Sequence, residues 1–276
     1  MNQAQKARFE ELKKKPHLLD QDVHGCCAFA AAIMHALVIN SGSNLQLCKT
    51  VFSGTKFKDI AKSTQVKNRV EKRETDLKNL NEDMIFDGKL CVGLMVTFKE
   101  YLKENIKEKI WDSCIAFSQL FDNWVHGGKI KLGNQVPGFS YKHGDLALTL
   151  TGCQELISFY TGANSVRETV LSDSDFKGKQ AIASKVKQSL TQLKKDFSSK
   201  KFKGAFLGVA SNDWRAQKKY EKCSYLAHWV YVPRDQSKAK QNELEVWTWG
   251  AKYTFDLNNP ETLGGEGYTP KILLKI

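Results

Sequence analysis

Two cysteines and a distant histidine carry most of the chemistry legible in this chain. The stretch Gln21-Asp22-Val23-His24-Gly25-Cys26-Cys27 is polar, ends in Gly-Cys-Cys, and runs into an alanine-rich apolar segment that continues to Ile39. That segment has the composition of a buried helix, which puts Cys27 near a helix N-terminus. The unpaired N–H groups and positive dipole end found there stabilise a thiolate. Gln21, six residues earlier, is able to fold back and donate to a developing oxyanion. A cysteine in this position can equally be a small buried residue and nothing more. Far downstream, Leu226-Ala227-His228-Trp229-Val230-Tyr231-Val232 alternates as a strand. His228 then shares the inward face with Leu226, Val230 and Val232. A histidine so placed is either a satisfied core residue or the general base for a thiol.

Elements must hold these residues in place. The pattern predicts an amphipathic helix over 3–15 that stops at Pro16, a linker from His17 to Gly25, and a buried helix over 26–39. Residues 41–56 are Ser/Gly/Asn-rich and read as loop. Residues 58–81 are charged and helical in composition, and 90–124 carry Val96, Phe98, Leu102, Ile106 and Ile110 near helical spacing. Gly127 to Gly144 reads as turns or a hairpin, 145–160 as helix or strand with helix the first choice, and 176–197 as a Lys-rich helix. The period then changes to that of strands at 205–210, 225–232 and 244–249, with a further strand expected in the tail 271–276. Helices first and strands after imply an α+β fold, with a helical N-terminal half and an antiparallel C-terminal sheet. No linker forces a cut, so the expectation is one domain over 1–276 in which 58–197 is mainly a helical insertion or cap.

The 276 residues are 41% hydrophobic and 26% charged, which excludes a rod and a wholly disordered chain. The longest apolar run, 26–39, contains His35 and falls short of the roughly 20 residues of a membrane span. Lys13-Lys14-Lys15 lies well inside the chain, and Asp20 and Asp22 precede the apolar run, so no signal peptide is read. The expected location is the cytoplasm, or a host cell reached without a cleaved signal. Seven irregularly spaced cysteines imply free thiols in a reducing setting.

Three rival chemistries are weaker. His24, Cys26, Cys27 and Cys223 could be zinc ligands, but adjacent cysteines do not form a Cys-x-x-Cys knuckle. The net charge of +12 and the lysines between Lys177 and Lys203 suit an acidic protein surface, an anionic membrane or nucleic acid. No zinc finger, RNP motif or helix-turn-helix signature accompanies them. Phosphate-cradling glycine loops are missing as well, so no nucleotide or other cofactor is expected.

Taken together, the two segments resemble the papain-like cysteine proteases. Gln21 precedes Cys27 by the family's spacing from oxyanion glutamine to nucleophile, and Gly25-Cys26-Cys27 is similar to its Gly-Ser-Cys. His228-Trp229-Val230 resembles its His-Ala-Val strand, and Thr248-Trp249-Gly250 the end of its Asn-Ser-Trp-Gly. Gly265-Glu266-Gly267-Tyr268 is faintly similar to its Gly-Glu-Asn-Gly-Tyr. In style the chain looks like the divergent papain-fold effector proteases that bacteria inject into host cells. The resemblance implies a papain-like core, a specific protein substrate, and catalysis by Cys27 and His228, with Gln21 at the oxyanion. Trp247 stands where the family has the asparagine that orients the histidine. Thr248, on the face shared by Leu244 and Val246, is the first substitute, with Glu245 and Asp256 as others; failing these, the site is a Cys-His dyad or a relic. Trp249 would shield the histidine from water. Glutamine deamidation and acyl transfer use the same residues, and a non-catalytic basic binding module is the reading from another class.

Overall fold

The computed structural model describes residues 3–21, 27–39, 87, 91, 94, 150–162, 164–172, 175, 182–211, 228–260, 262–263 and 266–276. The loop expected over 41–56, the helix over 58–81, nearly all of 90–124 and the turns of 127–144 lie outside these residues. So do His24, Cys26, Cys223 and Leu226. The chain divides into two compact units, Met1–Gly162 and Ala163–Ile276.

The first unit is helical in its described residues. Helix α1 (Gln3–Lys14) buries Phe9 and Leu12, three residues apart on one stripe. It stops before Pro16, which opens a short 3₁₀ turn over Pro16–Leu18. Helix α2 (Cys27–Ile39) is apolar all round, and every side chain from Cys27 to Leu37 is buried. Helix α3 (Leu150–Thr161) packs against α2. Its stripe of Cys153, Leu156, Ile157 and Tyr160 is buried at helical spacing. Among the described residues no helix is long and apolar enough to cross a membrane.

The second unit is an antiparallel sheet with a helix on one face. Its strands are β1 (Val166–Thr169), β2 (Gly204–Ser211), β3 (His228–Pro233), β4 (Glu243–Thr248), β5 (Ala251–Asp256), β6 (Thr262–Leu263) and β7 (Glu266–Lys275). They run in the order β1-β7-β2-β3-β4-β5, and β6 pairs with β7. Helix α4 (Ile182–Ser198) turns Ile182, Val186, Leu190, Leu193 and Phe197 towards Leu207, Val209, Val230, Val232, Leu244, Val246, Phe255 and Leu273. The period of two in the strands meets the helical period of α4 at this layer. The opposite sheet face is aromatic and also buried: Phe206 meets Tyr231 edge-on at 6.2 Å, and Tyr231 meets Trp247 at 5.6 Å.

The α+β class is therefore present, with helices and an antiparallel sheet in the expected halves. Three strands depart from the expected pattern, the two-residue β6 among them. β1 lies within the stretch read as mainly helical, and β5 follows β4 after a two-residue turn that the sequence reading passed over.

Candidate active site

In the first unit, Cys27 is the first residue of α2 and is 4% exposed. Cys27, Cys91 and Cys153 are all buried. Gln21 is buried too. The stretch leading to it is anchored residue by residue. Leu18 and Leu19 donate their N–H groups to Lys15 and Pro16 carbonyls, at 3.0 and 3.1 Å. The N–H of Asp20 donates to Asp87 Oδ2 at 2.9 Å. Asp87 is fully buried and receives Arg8 in a fork, Nε to Oδ1 at 3.1 Å and Nη2 to Oδ2 at 2.7 Å. Burial raises the Asp87 carboxyl to about 6, against the pull of Arg8 and of the Asp20 N–H.

In the second unit, β3 and β4 place His228 and Thr248 on the α4 face of the sheet, the face that holds Val230, Val232, Leu244 and Val246. The ring of His228 is 6% exposed, and its Nε2 lies 2.7 Å from Thr248 Oγ1. The hydroxyl either accepts the Nε2 proton or donates its own. Burial lowers the imidazole to about 3, so it is neutral near pH 7.

A tight turn covers this ring. Thr248 pairs with Ala251, leaving Trp249-Gly250 as a two-residue hairpin loop. Both residues have positive φ, 47° and 69°, the requirement of a type I′ turn. Gly250 meets it without strain, whereas an L-residue as large as Trp249 incurs about 1–2 kcal/mol there. The turn brings the indole parallel to the imidazole, with centroids 4.4 Å apart and planes within 6°. Tyr268 lies against both rings, and Tyr253 meets Trp249 edge-on at 5.8 Å.

The other two candidates for a partner of His228 are engaged elsewhere. Glu245 lies on the opposite face of β4, where its carboxylate accepts from Trp247 Nε1 at 2.7 Å and Lys252 Nζ at 3.2 Å. Asp256 is at the far end of β5, opposite Glu243, and accepts from Asn242 Nδ2 and the Asn258 N–H. Trp247 lies on the opposite face of β4 with Glu245, so it does not orient the imidazole. The structure thus brings His228, Thr248, Trp249 and Tyr268 together in one unit, and puts Cys27 and Gln21 in the other.

Arg8 and Asp87 had no signal in the sequence. They lie 79 residues apart, and neither falls in a motif. Several lysines of the basic stretch are committed inside the unit: Lys185 to Asp175, Lys187 to Asn258 Oδ1, and Lys194 to the carbonyls of Lys240, Gln241 and Glu243. No protein-family model, curated protein or solved structure matches this chain.

Proposed function

We propose that the chain is a thiol-dependent hydrolase on a papain-like core, in the first place a cysteine protease acting on a specific protein substrate, as an exported effector would. Cys27 is the nucleophile and His228 the general base. Thr248 orients the imidazole, and Gln21 with the Cys27 backbone N–H receives the oxyanion. The observation that carries this reading is the setting of His228: a neutral ring, bonded at Nε2 to Thr248 and covered by a tryptophan in a strained turn. Core packing alone does not call for a strained residue over a histidine.

When Nε2–H donates to Thr248, Nδ1 keeps the lone pair; burial alone holds the ring down to about 3, and it takes the thiol proton because the thiolate formed beside it stabilises the imidazolium. The sulfur then bonds to the substrate carbonyl carbon, and the carbonyl electrons move onto oxygen, where the amide donors meet them. The adduct collapses, the C–N bond breaks, and the imidazolium returns its proton to the leaving amine. Water deprotonated by His228 cleaves the thioester, releasing the acid and restoring the thiol. Deamidation of glutamine and transfer to another acceptor differ only in which carbonyl enters and what attacks the thioester. The non-catalytic alternative is a binder of a host protein or nucleic acid through lysine faces, of which Lys195, Lys200, Lys201 and Lys203 are exposed.

The test is alkylation of Cys27 by iodoacetamide across pH, in wild type and in His228→Ala. Cys27 should react below the ordinary thiol range of about 8.5 and faster than Cys91 and Cys153, and the advantage should vanish without His228. A Cys27 as inert as its buried neighbours until unfolding would remove the catalytic reading.

A further inference from the structure

Arg8 and Asp87 do more than pair with each other. The Arg8 guanidinium spends all three nitrogens: Nε and Nη2 on Asp87, Nη2 also on the Leu18 carbonyl at 2.8 Å, and Nη1 on Glu11 at 2.7 Å. Asp87 in turn accepts the N–H of Asp20. The carbonyl of Leu18 and the N–H of Asp20 are therefore gripped by the two partners of one ion pair. Leu19, between them, is fully buried. Gln21 is the next residue along, one peptide beyond this grip.

Burying a carboxylate completely is costly, and a well-packed apolar pair would hold α1 at least as firmly. What the apolar pair would lack is a fixed register for the two peptide groups. From this geometry we infer that Arg8 and Asp87 are positioning residues for Gln21, setting the backbone from which its amide reaches the oxyanion. The inference rests on the proposed thiol chemistry. An oxyanion donor placed an ångström out is a much weaker donor, because its value lies in preorganisation.

Two small probes separate positioning from stability. Acylation of Cys27 by p-nitrophenyl acetate passes through an oxyanion. Alkylation by iodoacetamide displaces iodide at a saturated carbon and forms none. The ratio of the two rates therefore reads the oxyanion site independently of the thiol and its base. Gln21→Ala should lower the ratio about 100-fold, the usual loss for one oxyanion donor. Asp87→Asn, with folding checked by circular dichroism, should lower it at least tenfold and leave alkylation within about twofold. Should Asp87→Asn not fold, Arg8→Lys keeps the charge but not the fork, and should lower the ratio in the same direction. A folded variant with the wild-type ratio, or one in which both rates fall together, overturns the positioning role. If wild-type Cys27 is inert to both probes while folded, the thiol chemistry itself fails, and the positioning role falls with it.

Discussion

An unfolded chain protonates His228 near pH 6.5, whereas burial holds the folded imidazole down to about 3. Between those values the unfolded state binds the extra proton. The stabilisation tied to a neutral His228 is therefore complete above about 6.5 and drains away as pH falls towards 3. The urea midpoint of wild type should accordingly drop more steeply between pH 6.5 and 4 than that of His228→Gln. Parallel curves would mean that the ring is not held neutral. Thr248→Val should cost about 1–3 kcal/mol by leaving a buried ring nitrogen without its partner, and Thr248→Ser should restore most of it. Under the proposed function, Thr248→Val should also slow Cys27 alkylation while Thr248→Ser spares it.

The elements that hold these residues were readable to different depths. The helix over Cys27–Ile39 and the shared face of His228 and Thr248 follow from the apolar run and from strand alternation, both of which survive in the fold because a buried layer enforces them. β5 was missed although a signal existed. Trp249-Gly250 separates two alternating runs, and Tyr253 and Phe255 alternate with Lys252, Thr254 and Asp256. β1 offers no such pattern: Val-Arg-Glu-Thr is a short edge strand whose pairing with β7 is decided by the sheet, not by its own side chains. The Arg8–Asp87 pair was illegible because contacts distant in sequence leave no period.

Two turns make checkable claims at this scale. Helix α4 ends with Lys200 and Lys201 donating to Phe197 and Asp196, a Schellman closure with Lys200 at φ 58°. Lys200→Gly should therefore stabilise the protein by about 1 kcal/mol in urea unfolding. Trp249→Asn suits the type I′ turn and should preserve the hairpin. It uncovers the imidazole, and the His228 titration followed by NMR should move up from about 3 towards the ordinary value. An unmoved titration would show that the indole is not what keeps the ring dry.

For the molecule as a whole, the second unit is closed by charge as well as by its apolar layer. Lys275 on β7 reaches Asp196 on α4 at 2.8 Å and Glu168 on β1 at 2.6 Å. The bond from Lys275 holds the Asp196 carboxyl below its usual range, and the pair keeps Lys275 above its own. Lys275→Ala would leave the largely buried Asp196 carboxylate with the Gln192 amide at 3.0 Å as its remaining side-chain donor, and should cost about 2 kcal/mol. That loss should shrink as the carboxylate is protonated below about pH 4.

The position of β7 has a consequence for how the protein is made. It is the last of these strands to leave the ribosome, yet it sits between β1 and β2. At roughly 5–20 residues per second, β1 waits on the order of ten seconds for its neighbour. For that interval β2, β3 and β4 can assemble with one flank of β2 unpaired, offering backbone groups to any passing strand. The newborn chain is thus most exposed to misassembly just before its synthesis reaches β7. A chaperone that shelters the bare edge of β2 would matter more to its yield than one acting on the earlier helices.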